Sequence, residues 1–467
     1  MKRTYSFVMA LAMGAACLMA QTQWLHIYQS GPKVSSYRLD DIESINYLEQ
    51  LCAGVDRMQV NAQGEANTLT ISNITDAVVG TNIPEIRITI PDEPDRTDLT
   101  EKETYLSAVI SINSEGTGLD LDPTPVNIKG RGNTTWNYRK KPYRLKFDSK
   151  VPLLGLKKAK SYALIADYID CTLMRNPIAL KTAQLLGMPY TNHFIPVRVY
   201  FNDILKGYYF LTEKVGINGA SVNIDETTGI LFEIDENYDE GYKFKSKYYK
   251  MPVMVKDPDF DEIAAELGTT PSKLLTKWQN DYNAMEKVVN SGGDPWQYID
   301  LDSFVDYVLV YTLTGNSELG KGKSTYIYKG AVGEKYYFGP VWDFDWAYNY
   351  DNLKENKPYT KLILNNYGLF KTTNKFIGAL CKNSKFKAAF KARWNEFKTN
   401  IYPQLLEFID EYADIIEPAA IENGQLWGSQ LLVTRGSLQF RQNLETLKTW
   451  IQNRVDFIST NSNFGLY

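Results

Sequence analysis

Two aspartates stand two residues apart in an otherwise apolar stretch of the sequence. The stretch reads Gly339-Pro340-Val341-Trp342-Asp343-Phe344-Asp345-Trp346. Desolvating two anions among large apolar side chains costs free energy, and a bound cation is one of the few groups that would compensate for this cost. We therefore interpret Asp343 and Asp345 as candidate ligands of a metal ion. The alternative is a turn at the end of a strand, with both carboxylates exposed to solvent.

A third carboxylate, Glu318, precedes Asp343 by about 25 residues. It lies between an apolar helical pattern at residues 304–313 and a predicted hairpin whose first strand covers residues 324–328. Protein kinases likewise place a catalytic carboxylate shortly before a hairpin that leads to a metal-binding aspartate, and Asp343-Phe344 is similar to their Asp-Phe pair. Glu318 is therefore the candidate catalytic base.

A glycine-bearing turn forms the second candidate element, Lys129-Gly130-Arg131-Gly132-Asn133-Thr134-Thr135-Trp136. Glycines at a turn let backbone N–H groups approach an anion such as phosphate, although a hairpin turn with positive φ angles needs glycine too. The next strand alternates apolar residues with Arg144 and Lys146, which must share its other face. These cations are candidates for neutralising a bound phosphate, and a solvated strand face is the alternative.

Histidine and cysteine are too scarce or too scattered for several common kinds of site. The sequence contains two histidines, His26 and His193, which argues against a His-rich metal centre. The cysteines at positions 17, 52, 171 and 381 form no C-x-x-C pair, so no zinc or dithiol redox motif is present. A disulfide remains an open alternative. Carboxylates and lysines must carry the chemistry.

Composition indicates a folded chain without a strongly charged surface. Of the 467 residues 44% are hydrophobic and 23% are charged, which is ordinary globular usage. Lysines and arginines number 51 against 55 acidic residues, a net charge of -4 that argues against nucleic acid or anionic lipid as a partner.

The first twenty residues have the pattern of a secretory signal peptide. Met1-Lys2-Arg3 is basic, residues 7–16 are apolar, and Ala20 precedes a polar run. We expect export to the periplasm, the cell surface or the medium. The alternative is lipidation of Cys17, which would tether the protein to a membrane surface. No later segment reaches the length of a membrane span, so we expect no transmembrane segment in the mature chain.

Periodicity indicates an α+β protein with strands first and helices last. Residues 24–47 read as a small β appendage, and residues 51–82 as loop and edge strands. Alternating apolar residues between 83 and 211 predict antiparallel sheet with one buried face. A helix is predicted from Pro271 to the glycines at 292–293, a second over residues 304–313 capped by Asp302-Ser303, and nearly continuous helix after Asn383. The predicted units are 1–20, 21–82 and 83–467, the last with two lobes facing each other across a cleft.

The order of the motifs resembles the CotH family of atypical kinase-like proteins, first known from spore coats. The resemblance covers roughly residues 83–460. The matching motifs are, in chain order, Lys129 to Trp136, Lys140 to Lys146, Asp167-Tyr168-Ile169-Asp170, Met174-Arg175-Asn176, Leu211-Thr212-Glu213-Lys214, Phe232 to Glu236, Ser324 to Tyr328, Val341 to Asp345, and Trp450 to Arg454.

The resemblance implies a two-lobed kinase-like fold that binds ATP with Mg²⁺ or Mn²⁺ and transfers phosphate to Ser or Thr of a protein. The residues that it assigns to nucleotide binding are Gly130, Arg131, Gly132, Asn133 and Lys146, with Lys141 as the alternative lysine. Those that it assigns to the metal and to catalysis are Asp343, Asp345, Ser324 and Glu318. Asp170, Arg175 and Glu213 also match family motifs but receive no role, and a buried ion pair between Arg175 and a carboxylate is the alternative to a role in the site.

Two residues depart from the pattern of the family's spore-coat members. Those members have an aspartate as base, five residues ahead of a metal-binding asparagine, whereas this sequence has Glu318 displaced by about one residue, and Ser324. Phosphoryl transfer depends mainly on positioning and charge neutralisation, so both substitutions are compatible with activity. They are equally compatible with a catalytically silent nucleotide-binding module. A third hypothesis is a surface protein whose paired carboxylates hydrolyse glycans.

Overall fold

The computed structural model describes residues 22–29, 33–49, 56–80, 82–348, 359–364, 371–428 and 440–467. The predicted signal peptide, with Cys17, and Cys52 lie outside the described residues. Strands dominate the first half of the chain and helices the second, so the α+β class is confirmed. In the described part of the chain Cys171 and Cys381 form no disulfide.

The strands follow the alternation of apolar residues along the chain. They are β1 (Trp24–Gln29), β2 (Lys33–Arg38), β3 (Ile42–Glu49), β4 (Asp56–Ala62), β5 (Glu65–Thr70), β6 (Ile74–Gly80), β7 (Glu85–Thr89), β8 (Leu106–Asn113), β9 (Leu121–Gly130), β10 (Tyr143–Val151), β11 (Ala159–Ile165), β12 (Ile195–Phe201), β13 (Ile204–Glu213), β14 (Ile230–Ile234), β15 (Lys243–Lys245), β16 (Pro252–Asp257), β17 (Thr325–Lys329) and β18 (Tyr337–Phe338).

Strands β7 to β13 close into a barrel with the order β10-β11-β13-β12-β7-β8-β9. Its interior is apolar, because alternate residues such as Ile86, Ile128 and Leu145 point inward and are fully buried. The sequence predicts an antiparallel sheet with one buried face, and the buried face is confirmed. The sheet differs from that prediction in being closed and in pairing β12 with β7 in parallel.

A second sheet carries residues of the acidic motifs, with the order β15-β16-β14-β17-β18. The predicted hairpin is present in it, since β17 and β18 pair antiparallel with Ile327 opposite Phe338. Strand β14 lies at its centre and all five of its residues are buried. The sheet therefore holds β14 and the hairpin side by side.

The helices follow from apolar residues spaced three and four apart, with polar caps. They are α1 (Arg175–Leu185), α2 (Phe260–Glu266), α3 (Pro271–Asn290), α4 (Leu301–Thr314), α5 (Glu318–Lys321), α6 (Lys371–Lys382), α7 (Ser384–Glu396), α8 (Tyr402–Trp427) and α9 (Phe440–Thr460), with a π-helical turn (Phe397–Ile401) between α7 and α8.

The predicted starts of the two central helices are close to those observed. Helix α3 begins at Pro271, as predicted, and Thr270 caps it. For α4 the predicted cap lies too far along the chain: the side chain of Asp300 accepts a hydrogen bond from the N–H of Ser303 at 2.9 Å, and the helix starts at Leu301. Gly315 ends α4 with a φ of +62°. None of the helices in the described ranges is long and apolar enough to cross a membrane.

Helix α8 attaches the barrel to the helical half. The hydroxyls of Tyr208 on β13 and Tyr412 on α8 lie 2.9 Å apart. Arg198 on β12 forms an ion pair with Glu422 on α8 at 2.6 Å. Because these contacts join β12 and β13 directly to α8, the barrel and the helices have a defined orientation at their junction.

The appendage consists of two three-stranded sheets, and the strands of the second lie in sequence between those of the first. Their orders are β2-β1-β6 and β3-β4-β5, so the last strand of the segment returns to pair with the first. The prediction of edge strands within residues 51–82 agrees with β5 and β6, which lie at the edges of their sheets, and is wrong for β4, which lies at the centre of its sheet. The indole of Trp24 donates a hydrogen bond to Glu115 at 2.7 Å, which fixes the appendage to the end of β8.

Candidate active site

A cavity of about 570 Å³ lies where the barrel faces the second sheet. Its lining comes from chain segments far apart in sequence. They include the turn between β9 and β10, the loop after β11, the ends of β14 and β16, helix α5, and the loop after β18. The predicted residues that line it are Gly130, Arg131, Gly132, Asn133, Glu318, Ser324, Asp343 and Asp345. The structure therefore brings the glycine turn and the acidic motifs to one cavity.

The two glycines of the turn are required by local packing. A Cβ atom at Gly130 would overlap the ring of Trp136, and one at Gly132 would overlap the hydroxyl of Thr135. Gly132 also has a φ of +81°, which L-residues rarely adopt. The N–H of Arg131 donates to the carbonyl of Pro142 at 3.2 Å, so that amide is already used within the turn. These contacts account for glycine at positions 130 and 132 without the need for a bound ligand.

Several cations line the barrel side of the cavity, among them Arg131, Arg144 and Lys214. Burial lowers the pKa of Arg131, with the carboxylate of Asp343 opposing the decrease. Burial also lowers the pKa of Lys214 to about 8, and the charge of Arg144 adds to this decrease. The Nε atom of Arg144 is buried and, among the residues described, has no hydrogen-bond partner. This wall thus has a donor and positive charge available for an anion.

The two lysines predicted to contact the phosphates do not line this cavity. Lys146 is exposed and its Nζ lies 5.7 Å from the ring centre of Tyr105. Lys141 donates to the carbonyl of Trp136 at 2.7 Å. Lys140, the residue before Lys141, does line the cavity and is buried. The cationic wall of the cavity therefore includes Arg131, Arg144 and Lys214 and not Lys141 or Lys146.

Asp343 lies at the opposite, acidic wall in a conformation held by its neighbours. Its φ is +66°, and its carbonyl accepts a hydrogen bond from the amide of Asn316 at 3.2 Å. Burial raises the pKa of the Asp343 carboxyl, which the positive charge of Arg131 and a hydrogen bond from Ser324 oppose. The side chain is partly exposed to the cavity. A carboxylate with this access is a suitable ligand for a hard cation.

Asp345 is buried and linked to a further aspartate through one amide. The Nδ2 group of Asn176 donates to Asp345 and also to Asp167, the latter at 2.9 Å. The Oδ1 atom of Asn176 accepts from the N–H of Phe344 at 2.8 Å. Burial raises the pKa of Asp345 to about 7, and the charge of Asp343 adds to the increase. Burial, followed by the charge of Asp345, raises the pKa of Asp167 well above its usual value.

Glu318 occupies the first position of the short helix α5, partly exposed to the cavity. Its N–H donates to the side chain of Asn316 at 2.9 Å, and Asn316 also holds the carbonyl of Asp343. Burial raises the pKa of Glu318 to about 8, and the negative charge of Asp343 adds to the increase. Asn316 therefore forms hydrogen bonds to the backbones of both Glu318, the candidate base, and Asp343, the candidate metal ligand.

Asp235 on the loop after β14 organises the neighbourhood of Ser324. Its two carboxylate oxygens accept from the N–H of Ser324 at 2.9 Å and from Lys323 Nζ at 3.1 Å. Ser324 has a φ of +42°. The family motifs in the sequence contain Asp235, as well as Asp167, Asn176 and Lys214, but sequence reasoning assigns these residues no role. Nothing in their spacing shows that they converge.

Two further family-motif groups have mainly structural contacts. Asp170 accepts from the N–H of Arg175 at 2.9 Å, and the two side chains form an ion pair at 3.3 Å, which is the buried pair expected as the alternative for Arg175. Glu213 does not line the main cavity. It lies beside a smaller one of about 200 Å³, where its carboxylate meets His193 Nδ1 at 2.5 Å.

The acidic wall suits a metal ion that keeps water or phosphate ligands. In the ranges that the structure describes, no three His, Cys, Asp or Glu side chains are grouped to hold a metal by themselves. Mg²⁺ is commonly bound by one or two carboxylates together with waters and substrate phosphates. Asp343 and Asp345 fit this pattern, and the unpartnered Nε of Arg144 fits a phosphate opposite them.

Comparison with known proteins gives one family match. The family model described as "CotH kinase protein" matches residues 128–458, from β9 to α9 and thus well over half of the chain. No curated protein matches the chain. The matched region contains both the cationic and the acidic wall of the cavity, while strands β7 and β8 of the barrel precede it.

Proposed function

Because the chain belongs to the CotH kinase family, we propose that it is an ATP- and magnesium-dependent phosphotransferase that phosphorylates Ser or Thr hydroxyls of a protein. The observation that carries this proposal is one cavity with a cationic wall at Arg131, Arg144 and Lys214 and an acidic wall at Asp343 and Glu318. A triphosphate with a divalent cation has the complementary charge pattern.

In this proposal the cationic wall binds the phosphates and the acidic wall binds the metal. Arg144 and Lys214 donate to phosphate oxygens, and the turn at residues 130–133 covers them. Asp343 and Asp345 hold Mg²⁺ or Mn²⁺, with Ser324 orienting Asp343. When bound, the cation neutralises charge on the transferring phosphate.

Glu318 is the proposed general base. Its carboxylate takes the proton of the acceptor hydroxyl while that oxygen bonds to the γ-phosphorus, and the bond from the γ-phosphorus to the bridging oxygen of ADP breaks. The side chain is open to the cavity, and Asn316 holds both Glu318 and the Asp343 backbone. Such positioning supplies much of the catalysis in phosphoryl transfer.

The proposal extends to architecture and location. We propose that residues 83–467 form the kinase-like unit, with the barrel as part of one lobe and the helices as the other. We also propose that residues 1–20 direct export, so that the protein acts in the periplasm, at the cell surface or outside the cell.

The test is transfer of labelled phosphate from ATP by the chain starting at residue 21. We expect Mg²⁺- or Mn²⁺-dependent labelling of the protein itself or of casein as a generic acceptor. Asp343→Asn should reduce it by at least about 100-fold, because it removes a charge that acts on the transferring group. Asp239→Asn is the matched control, since Asp239 lines the same cavity but is exposed. Equal labelling by both variants would contradict the proposed role of Asp343.

A nucleotide-binding module without transfer is the second candidate. The observation that favours it is the pKa of Glu318, which burial raises to about 8, so the side chain of the unliganded protein is mostly protonated at neutral pH. A binding module would show metal-dependent thermal stabilisation by ATP, about 2.7 kcal/mol at 100 times Kd, with no labelling. Labelling that Glu318→Gln abolishes would exclude it.

A further inference from the structure

Asp167 presents a buried carboxylate oxygen to the cavity that no protein donor in the described ranges satisfies. The residue is 2% exposed and lines the cavity. Its Oδ1 atom accepts from Asn176 at 2.9 Å. Its Oδ2 atom is buried and has no hydrogen-bond partner among the described residues. A buried carboxylate oxygen without a donor is costly as an anion, so it needs either a proton or a positive ligand.

The nearest lysine cannot supply the missing hydrogen bond. Lys140 is buried, and its ammonium group donates to the carbonyl of Ala166 at 2.7 Å and to Asn423 Oδ1 at 2.8 Å. It also donates to the carbonyl of Tyr208. An ammonium group has three N–H donors, and these acceptors use all three. Lys140 therefore places a positive charge near Asp167 but donates no hydrogen bond to it.

Asn176 holds Asp167 beside Asp345. One Nδ2 group donates to an oxygen of each aspartate, so the two carboxylates lie next to each other on the cavity wall. Two neighbouring carboxylates repel each other unless a proton or a cation lies between them. The amide of Asn176 fixes their orientation but carries no charge with which to neutralise them.

We propose that Asp167 and Asp345 together hold a second divalent cation, separate from the one on Asp343. This inference rests on the proposed function, because the remaining ligands would be waters and phosphate oxygens of the nucleotide. Asp343 keeps the first cation, and Asp345 is shared between the two. A pair of cations on one phosphate chain neutralises more of its charge than either alone.

The test counts bound Mn²⁺ by electron paramagnetic resonance, using the full chain from residue 21 and a non-hydrolysable ATP analogue. The unmodified protein should bind two Mn²⁺ ions and Asp167→Asn should bind one. Asp239→Asn, the exposed carboxylate on the same cavity, should still bind two. Asp167→Glu, which restores a carboxylate, should recover the second ion with weaker affinity. One ion in the unmodified protein, or two in Asp167→Asn, would overturn the inference.

A measurement without metal controls for misfolding. Asn is isosteric with Asp and can still accept the hydrogen bond from Asn176, while it removes the repulsion with Asp345. We therefore expect Asp167→Asn to melt at the same temperature as the unmodified protein or higher. The proposed function and the second cation can be tested separately. Two bound ions without phosphate transfer would contradict the proposed function alone. Phosphate transfer with an unchanged number of bound ions in Asp167→Asn would contradict the second cation alone.

Discussion

Three residues at the acidic wall have positive φ angles, a backbone conformation that is unfavourable for residues other than glycine. Asp167, Ser324 and Asp343 have φ angles of +44°, +42° and +66°. Such conformations cost about 1–3 kcal/mol each and persist only where surrounding contacts hold them. At this wall the contacts come from Asn176, Asp235 and Asn316, respectively. The neighbours of the candidate ligands therefore hold the geometry of the wall.

His193 and Glu213 form a separate titrating pair at the smaller cavity. The hydrogen bond to Glu213 raises the pKa of His193 above its usual value near 6.5, and burial opposes the increase. A group whose pKa is higher in the folded state stabilises that state below its unfolded pKa. The contribution is lost as the pH rises through the folded-state pKa, which lies above 6.5.

We predict that His193→Gln destabilises the protein more at about pH 5.5 than at about pH 9, because Gln keeps a donor but carries no charge. The histidine side chain is 60% exposed, so the difference should be about 1 kcal/mol or less after solvent screening. Chemical denaturation at both pH values measures it. In a Glu213→Gln background, where burial and the charge of Lys157 are left to lower the pKa of His193, the same substitution should no longer destabilise the protein more at the lower pH. An effect of His193→Gln that grows toward high pH would refute the pairing.

At the scale of elements, the turn between β9 and β10 depends on Trp136 as much as on its glycines. The ring of Trp136 occupies the space where a Gly130 side chain would be. Lys141 donates to the carbonyl of Trp136 and its Nζ lies 4.8 Å from the centre of the indole ring. The tryptophan therefore fixes the turn that forms one edge of the cavity.

We predict that Gly130→Ala destabilises the protein by about 1–3 kcal/mol, the usual cost of forcing an extra carbon into a packed site. Urea denaturation measures the change. Gly241→Ala is the matched control, because a Cβ atom at Gly241 meets nothing within 4 Å. Adding Trp136→Leu to Gly130→Ala should recover part of the loss. If the Gly130 and Gly241 variants were equally stable, the packing explanation would be wrong.

Local periodicity predicted the positions of helices and strands better than it predicted which strands pair with each other. The helix at Pro271 and the hairpin of β17 and β18 were predictable because their signals lie within a few residues. The central position of β4 and the pairing of β6 with β1 were not, because the alternation in these strands is weak and β6 pairs with a strand far away in the chain. The parallel pair of β7 and β12 joins segments more than a hundred residues apart, which no local signal reports.

The whole molecule has several separate hydrophobic cores. The barrel interior forms one, and the helices with the second sheet form a larger one. The appendage has its own small cluster around Ile27, Met58 and Val60. Because this cluster is separate from the other cores, the contribution of the appendage to the cavity is indirect.

We predict that the fragment 83–467 folds cooperatively and binds the Mn²⁺ and ATP-analogue complex within about threefold of the full chain, since distant sites without shared contacts are nearly independent. Calorimetry of unfolding and of binding tests both parts. Ending the chain at residue 428 is the contrasting truncation, which should not fold. It removes α9, whose buried Leu444, Ile451 and Arg454 belong to the larger core or contact it. A fragment 83–467 that cannot fold would refute the proposed boundary.

The sequence by itself determined the α+β class, the burial pattern of most barrel strands, the family, and the candidate acids Glu318, Asp343 and Asp345. These follow from residue type and short-range spacing, which the printed order contains. Only the tertiary structure decided that the sheet closes into a barrel and that Lys140 rather than Lys146 reaches the cavity. It alone also placed Asp167 beside Asp345. The physical reason is that a side chain's surroundings depend on which distant segments pack against it, and spacing along a chain does not contain that information.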